Sequence, residues 1–239
     1  CDSPDKTPIW KAIANALRSD LAEGHYSPGE KLPTEAALAD RFGVNRHTVR
    51  HGLSALVSEG LVRTRRGAGA FVVSTPADYR LGHRVRFHEN LIDAGRHPEK
   101  RVLSLDTRAA TQGEARALHI QVGDQVCAYH GLLLADGQPL AVVLSVFPSM
   151  RLSGIFEALS ATTSVTQALR SVGIDDYTRA STRLTAVRST ATQALLLQTR
   201  EGDPLLRSSS VNQCANAIPV EYGRTWFVGD RITLTLGET

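Results

Sequence analysis

The sequence is poor in the features that mark several function classes. Its cysteines number three, Cys1, Cys127 and Cys214, widely spaced and without a CxxC pair. An odd, scattered set of thiols argues against a disulfide framework or a structural zinc site, and it fits a cytoplasmic protein in a reducing compartment. No apolar run approaches the roughly 18 residues of a membrane span. No signal peptide is read at the start, and because the first residue is Cys rather than Met the start is taken as truncated. GxSxG, HExxH and a Cys–His–Asn pattern at recognised spacing are all missing, so an enzyme reading has little support. There is no internal repeat and no low-complexity tract.

What is present is a chain of 239 residues, 42% hydrophobic and 21% charged, which allows one or two ordinary globular domains. A formal net charge of +3 does not by itself imply a nucleic-acid partner. The distribution says more. Between residues 41 and 66 stand six arginines (41, 46, 50, 63, 65 and 66), two histidines and a single acid, Glu59. Such a stripe is the electrostatic footprint of phosphate binding, although on charge alone a solvated surface explains it equally well.

Patterning places that stripe on a defined scaffold. Ile9, Ile13, Leu17 and Leu21 recur every four residues and predict a helix over 9–23. Thr34 and Glu35 after Pro33 start a second helix, with a capping hydroxyl and an acid at its positive end. Gly43 breaks it, and Asn45 caps a third helix running to about Glu59 and closed by Gly60. Helix, glycine turn, helix is the helix-turn-helix signature. Val49, Leu53, Leu56 and Val57 share one arc of the third helix; His47, Arg50, His51, Ser54 and Ser58 share the other, which suits a major groove. Two short β-rich runs around Arg66-Gly67-Ala68-Gly69 then predict a basic hairpin, a wing. Residues 1–74 are therefore read as a winged helix-turn-helix, 75–82 as a linker and 83–239 as an effector-binding and dimerisation domain.

The remainder reads as α+β. Helices are predicted near 84–94, 151–160, 164–172 and 190–198. Strands are predicted at 101–108, 125–135, 138–147, 176–187, 204–214, 218–228 and 231–236. Asp136-Gly137 between two apolar runs is a strong hairpin signal. Hairpins with helices inserted between them suggest one antiparallel sheet.

Residues 32–72, from Leu-Pro-Thr-Glu through Phe-Gly-Val-Asn-Arg-His-Thr-Val-Arg to Arg-Arg-Gly-Ala-Gly-Ala-Phe-Val, closely resemble the GntR family of bacterial repressors. The rest resembles the HutC subfamily, whose C-terminal (UTRA) domain has a chorismate-lyase-like fold and binds effectors. Three segments, Arg86-Phe-His-Glu-Asn-Leu-Ile-Asp-Ala-Gly-Arg-His-Pro98, Tyr177-Thr-Arg-Ala-Ser-Thr-Arg-Leu184 and Val220-Glu-Tyr222, look like the PhnF-type regulators of phosphonate uptake and breakdown. The chain departs from the family at Ala36 and Ala68, where arginine is frequent. It also has Gly131 and Leu133 where sugar-phosphate sensors carry a pair of arginines.

These readings name two sets of residues. Thr34, Glu35, Asn45, Arg46, His47, Thr48, Arg50, His51, Arg65, Arg66, Gly67 and Gly69 are the candidates for double-stranded operator DNA. Arginine can grip a guanine or a phosphate, and the wing glycines let the backbone approach closely. His47 and His51 also have a metal-ligand spacing, but no third ligand is evident, and no metal or other cofactor is expected. By resemblance, Arg86, Asn90, His130, Arg179, Thr182, Arg183, Glu221, Tyr222 and Arg224 are the candidates for a small anionic effector, a phosphonate or phosphate ester. Strand alternation puts Arg179, Ser181 and Arg183 on one face. A different effector, such as a sugar phosphate, a histidine-pathway metabolite or a fatty acid, remains the alternative. A homodimer on a pseudo-palindromic operator is expected, because one short helix reads only a few base pairs.

Overall fold

Side-chain caps fix the starts of two of the three helices at the front of the chain. The computed structural model describes residues 8–65, 67–73, 76–82, 89, 91–92 and 95–235. The chain divides into two units, Cys1–Thr75 and Pro76–Thr239. In the first, α1 (Ile9–Ala22), α2 (Glu35–Phe42) and α3 (Arg46–Ser58) precede a hairpin of β1 (Val62–Arg65) and β2 (Gly69–Val72). The Thr34 hydroxyl accepts from the Ala37 N–H at 3.2 Å, and the Asn45 side chain accepts from the Thr48 N–H at 2.8 Å. Each satisfies a donor that a helix start leaves without a partner. Gly43 ends α2 in the left-handed region, at φ 64°, which only glycine enters without steric cost.

Ile13, Leu17, Leu38, Val49, Leu53 and Leu56 bury together with Leu32 and Val62. Each large apolar side chain removed from water contributes about 1.5–3 kcal/mol. α1 and α3 approach closely at Gly52, where an added Cβ would sit 3.1 Å from the Trp10 carbonyl oxygen. Residues 30–32 run beside the hairpin: Leu32 donates to Ala70 O at 2.8 Å, and Val72 donates to Glu30 O at 2.9 Å.

The second unit is built on a six-stranded antiparallel sheet. Its strands are β4 (Pro98–Ala109), β5 (Gln125–Ala135), β6 (Gln138–Pro148), β7 (Tyr177–Arg188), β8 (Pro204–Cys214) and β9 (Pro219–Val228), in the order β4-β5-β6-β9-β8-β7. The β5–β6 turn uses Asp136 and Gly137, both at positive φ, as the Asp-Gly signal predicts. Residues directly opposite one another in the ladder share a face. On the front face, α5 (Ile155–Ala161) and α6 (Val165–Ser171) pack over Cys127, Tyr129 and Phe147. β3 (Ala77–Arg80) and β10 (Ile232–Thr235) cover Leu133, Ala141 and Phe227 on the same face through Tyr79 and Ile232. On the back face lie α4 (Gln112–Leu118), against Val126, Ala128 and Val146, and α7 (Ala191–Leu197), against Leu132, Leu134 and Val142.

Two expectations need correction, and a third is not tested. The stretch 75–82 is not all linker: Ala77–Arg80 form β3, which pairs in parallel with β10 as a second, two-stranded sheet. Ala77, Tyr79 and Ile232 of these strands are buried, and burial drives a pairing that local patterning does not reveal. α4 was not expected, although Thr111 and Glu114 form a complete capping box at its start. The helix predicted at 84–94 lies largely outside the described residues. No helix among the described residues is long and apolar enough to cross a membrane.

Candidate functional site

Part of the basic stripe is exposed on α3. Arg46, His47 and Arg50 are all exposed on α3. Asn45 is committed to its cap, accepting also from the Thr48 hydroxyl at 2.9 Å, so both side chains serve the helix start. Arg50 is held by Glu35 of α2 through Nε at 3.1 Å and Nη2 at 2.7 Å. This pairing holds the Glu35 carboxyl below its usual range, with a smaller pull from Arg46. His51 does not simply face solvent. Its ring stacks on Trp10 of α1, with centroids 4.2 Å apart and planes 16° apart. Among the described residues no group of three or more His, Cys, Asp or Glu could hold a metal.

On the wing, the Arg65 guanidinium lies over the Phe71 ring, 5.1 Å from its centroid. Gly67 and Gly69 have φ of 70° and 109°, a turn that residues with a Cβ resist. Arg66 lies outside the described residues. Trp10 and Lys31 belong to this surface and were missed. A Cβ on Gly69 would lie 3.0 Å from Lys31 Cε, so that lysine rides against the wing turn. Its position just before Leu32-Pro33, at the start of the segment that carries the family resemblance, was the available signal.

The effector candidates separate onto the two faces of the sheet. A bulge between Arg179 and Ser181 sets the first opposite Asn212 and the second opposite Val211. One extra residue reverses the alternation. Arg179 and Thr182 therefore stand on the front face with Asn212 and Ser210, while Ser181 and Arg183 stand on the back. Simple alternation, which grouped Arg179 with Arg183, is wrong here. His130, Tyr222 and Arg224 also belong to the back face, by their pairing through Leu144, Val211 and Ser209. Arg86 and Asn90 lie outside the described residues.

On the back face Arg224 is drawn into an ion cluster around Glu114, although Arg207 Nε and Arg224 Nε are buried without a hydrogen-bond partner among the described residues. Glu114 is 1% exposed and takes two hydrogen bonds from Arg108, both at 2.8 Å, one from the Thr111 N–H at 2.9 Å, and Arg224 at 3.6 Å. Burial alone would raise its pKa, but these donors and the Arg108 charge bring it to about 2. Burial also pushes the His130 imidazole down.

The front face gathers a larger set of buried polar groups. Across its middle run Tyr129, Ser145, Gly223, Ser210 and Thr182, one from each of five neighbouring strands. Beside them Glu221, 6% exposed, accepts from Ser145 Oγ at 2.5 Å and from Asn212 Nδ2 at 2.7 Å. The Lys100 ammonium sits over the Tyr129 ring at 4.6 Å. Burial lowers its pKa, and the charge of Glu221 opposes that shift. Burial raises the Tyr79 pKa, and the neighbouring Arg179 opposes that shift. Burial pushes Tyr129 and Tyr177 up to about 12. Gly131 and Gly223 keep the floor low: a Cβ would meet Tyr129 Cε1 at 2.9 Å at the first, and Ser210 Oγ at 3.2 Å at the second. Four atoms on this face, Tyr129 Oη, Arg179 Nε, Thr182 Oγ1 and Asn212 Oδ1, are buried without a hydrogen-bond partner among the described residues. Lys100, Tyr129, Ser145 and Asn212 were missed by sequence reasoning. The signal for Ser145 was a single hydroxyl inside the apolar run Pro139–Pro148.

A winged helix with an exposed cationic helix, in a chain whose second unit is an α+β domain, is the arrangement of a transcriptional regulator. Residues 10–72 match the family described as bacterial regulatory proteins, gntR family, and residues 93–233 match the UTRA domain. The chain belongs to the GntR family and is of its UTRA-bearing, HutC type, a regulator rather than an enzyme. It is 34% identical over 229 residues to "Uncharacterized HTH-type transcriptional regulator RB1450" of Rhizobium meliloti (strain 1021), covering 95% of this chain and 94% of that one. It is 32% identical over 228 residues to "Probable transcriptional regulator PhnF" of Escherichia coli (strain K12), with 95% and 94% covered. The crystal structure of PhnF from Mycobacterium smegmatis superposes with a TM-score of 0.66 at 25% identity, covering 95% of this chain and 99% of that one.

Proposed function

We propose that this regulator is a cytoplasmic, homodimeric repressor of phosphonate uptake and metabolism genes, and that an anionic phosphonate or phosphate ester on the front face of the sheet relieves it. The observation that carries the effector reading is the set of buried, unpartnered polar atoms on that face. Buried polar groups in folded proteins are nearly always satisfied, and leaving one unsatisfied costs about 1–3 kcal/mol. Four on one face, beside two cations, suit a ligand rich in acceptor oxygens. Arg179, Thr182 and Lys100 are the groups for the anionic end. Glu221 is the group for an ammonium or hydroxyl. Arg183, Tyr222, Arg224 and His130 are not part of this proposal, because they stand across the sheet from it.

The dimer follows from reading length. One helix such as α3 spans a few base pairs, whereas two related by a two-fold axis read enough to compete with bulk genomic DNA. A ligand shifts operator binding only by its differential affinity for the two states, and a useful switch needs about 1–3 kcal/mol of such coupling. The test is calorimetry with 2-aminoethylphosphonate, methylphosphonate, inorganic phosphate and a sugar phosphate, with and without a duplex recovered by binding-site selection. An aminoalkyl phosphonate is expected to bind and to weaken duplex binding. Preference for the sugar phosphate, or binding without effect on the duplex, rejects the phosphonate switch. Light scattering checks the dimer, where a monomer mass at micromolar concentration refutes it.

A further inference from the structure

An acid on a DNA-reading surface repels the polyanion it must approach, yet Glu35 stands there, engaged with Arg50. The contact uses one specific edge of the guanidinium. Arginine offers five N–H donors in a planar fork. Glu35 occupies the side edge, formed by Nε and Nη2. The end edge, formed by Nη1 and the second N–H of Nη2, takes no hydrogen bond among the described residues, and the Arg50 side chain is 65% exposed. That end edge is still a complete bidentate donor, matched to O6 and N7 of a guanine.

From this geometry we propose that Glu35 is a positioning residue that makes Arg50 select a base rather than a phosphate. An unrestrained arginine on an exposed helix samples many rotamers and can settle on whichever phosphate is near. Paired with Glu35 through two hydrogen bonds, the guanidinium samples fewer orientations before DNA arrives, so less ordering remains at binding. The neighbouring carboxylate also penalises a phosphate that approaches Arg50, whereas a neutral guanine edge incurs less of that repulsion. Glu35 therefore weakens non-specific binding more than specific binding. This rests on the DNA-reading role of α3.

Binding-site selection from a randomised duplex library tests it, using the full chain and its Arg50→Ala, Glu35→Gln and Glu35→Asp variants. Affinities are then measured on the recovered duplex and on a scrambled one across a salt series, and thermal unfolding reports folding. Arg50→Ala is expected to erase a guanine preference at one half-site position. Glu35→Gln should weaken that same position, lowering the specific-to-scrambled affinity ratio about tenfold. Its salt slope on the scrambled duplex should steepen by about one as Arg50 moves to a phosphate. Glu35→Asp, which keeps the charge, should lie between wild type and Glu35→Gln. Glu35→Gln that keeps the guanine preference, or that tightens both duplexes equally, overturns the inference and leaves a merely repulsive acid. Arg50→Ala with an unchanged selected sequence removes the reading role of Arg50 itself, a separate failure.

Discussion

The two sites in this chain handle charge in opposite ways. On α3 and the wing, cations stand in water, where salt screens them over about 8–10 Å and each exposed pair contributes little. Their effect comes from number and from counterions released when phosphates are met. On the front of the sheet, Tyr129, Asn212 and Glu221 are nearly sealed from solvent, so a polar group without a partner is costly and geometry decides what fits. A bare cation is uninformative on the first surface and diagnostic on the second.

The largest effect expected tests the exposed site. Arg46→Ala/Arg50→Ala should cost about 2–6 kcal/mol in duplex affinity and leave small-molecule binding unchanged, which a paired fluorescence-anisotropy and calorimetry measurement would show. Next comes a buried carboxylate that is fully partnered. Glu114→Gln should destabilise the second unit by about 3–5 kcal/mol, read from urea unfolding. Because the Glu114 carboxyl is held near 2 rather than 4.5, its stabilisation is complete above about pH 4.5 and is lost as pH falls toward 2. That window is worth roughly 3 kcal/mol, and the variant should lack it. A smaller effect separates the two faces. Arg179→Ala should weaken phosphonate binding by about 1.5–3 kcal/mol, and Arg183→Ala by less than about 0.5 kcal/mol. Equal losses from the two would break the assignment of faces.

Local chemistry made the first unit legible. Thr34, Gly43 and Asn45 act within a few residues of themselves, and their caps formed as the sequence implied. The Asp136-Gly137 hairpin was legible for the same reason. Two features were not. The bulge beside Arg179 has no glycine or proline to announce it, and it set Arg183 on the opposite face of the sheet from Arg179. The β3–β10 ladder joins segments far apart in the chain, and four-residue strands carry too little pattern to be recognised. Capping-box residues at Thr111 and Glu114 did announce α4 and were overlooked. His51 shows a further limit, since periodicity places a side chain on an arc but does not show that Trp10 waits there.

The parallel ladder between β3 and β10 also bears on how the protein is made. β3 leaves the ribosome at Ala77–Arg80, but its partner is Ile232–Thr235, about 150 residues later. At synthesis rates of roughly 5–20 residues per second, β3 waits about 8–30 s for that partner. The first unit, whose strands and helices are all within the preceding segment, has no such delay. During translation the DNA-reading unit is complete while the sensing unit still exposes the apolar faces of Ala77 and Tyr79, and a nascent-chain pull-down of holdase chaperones should be strongest in that interval.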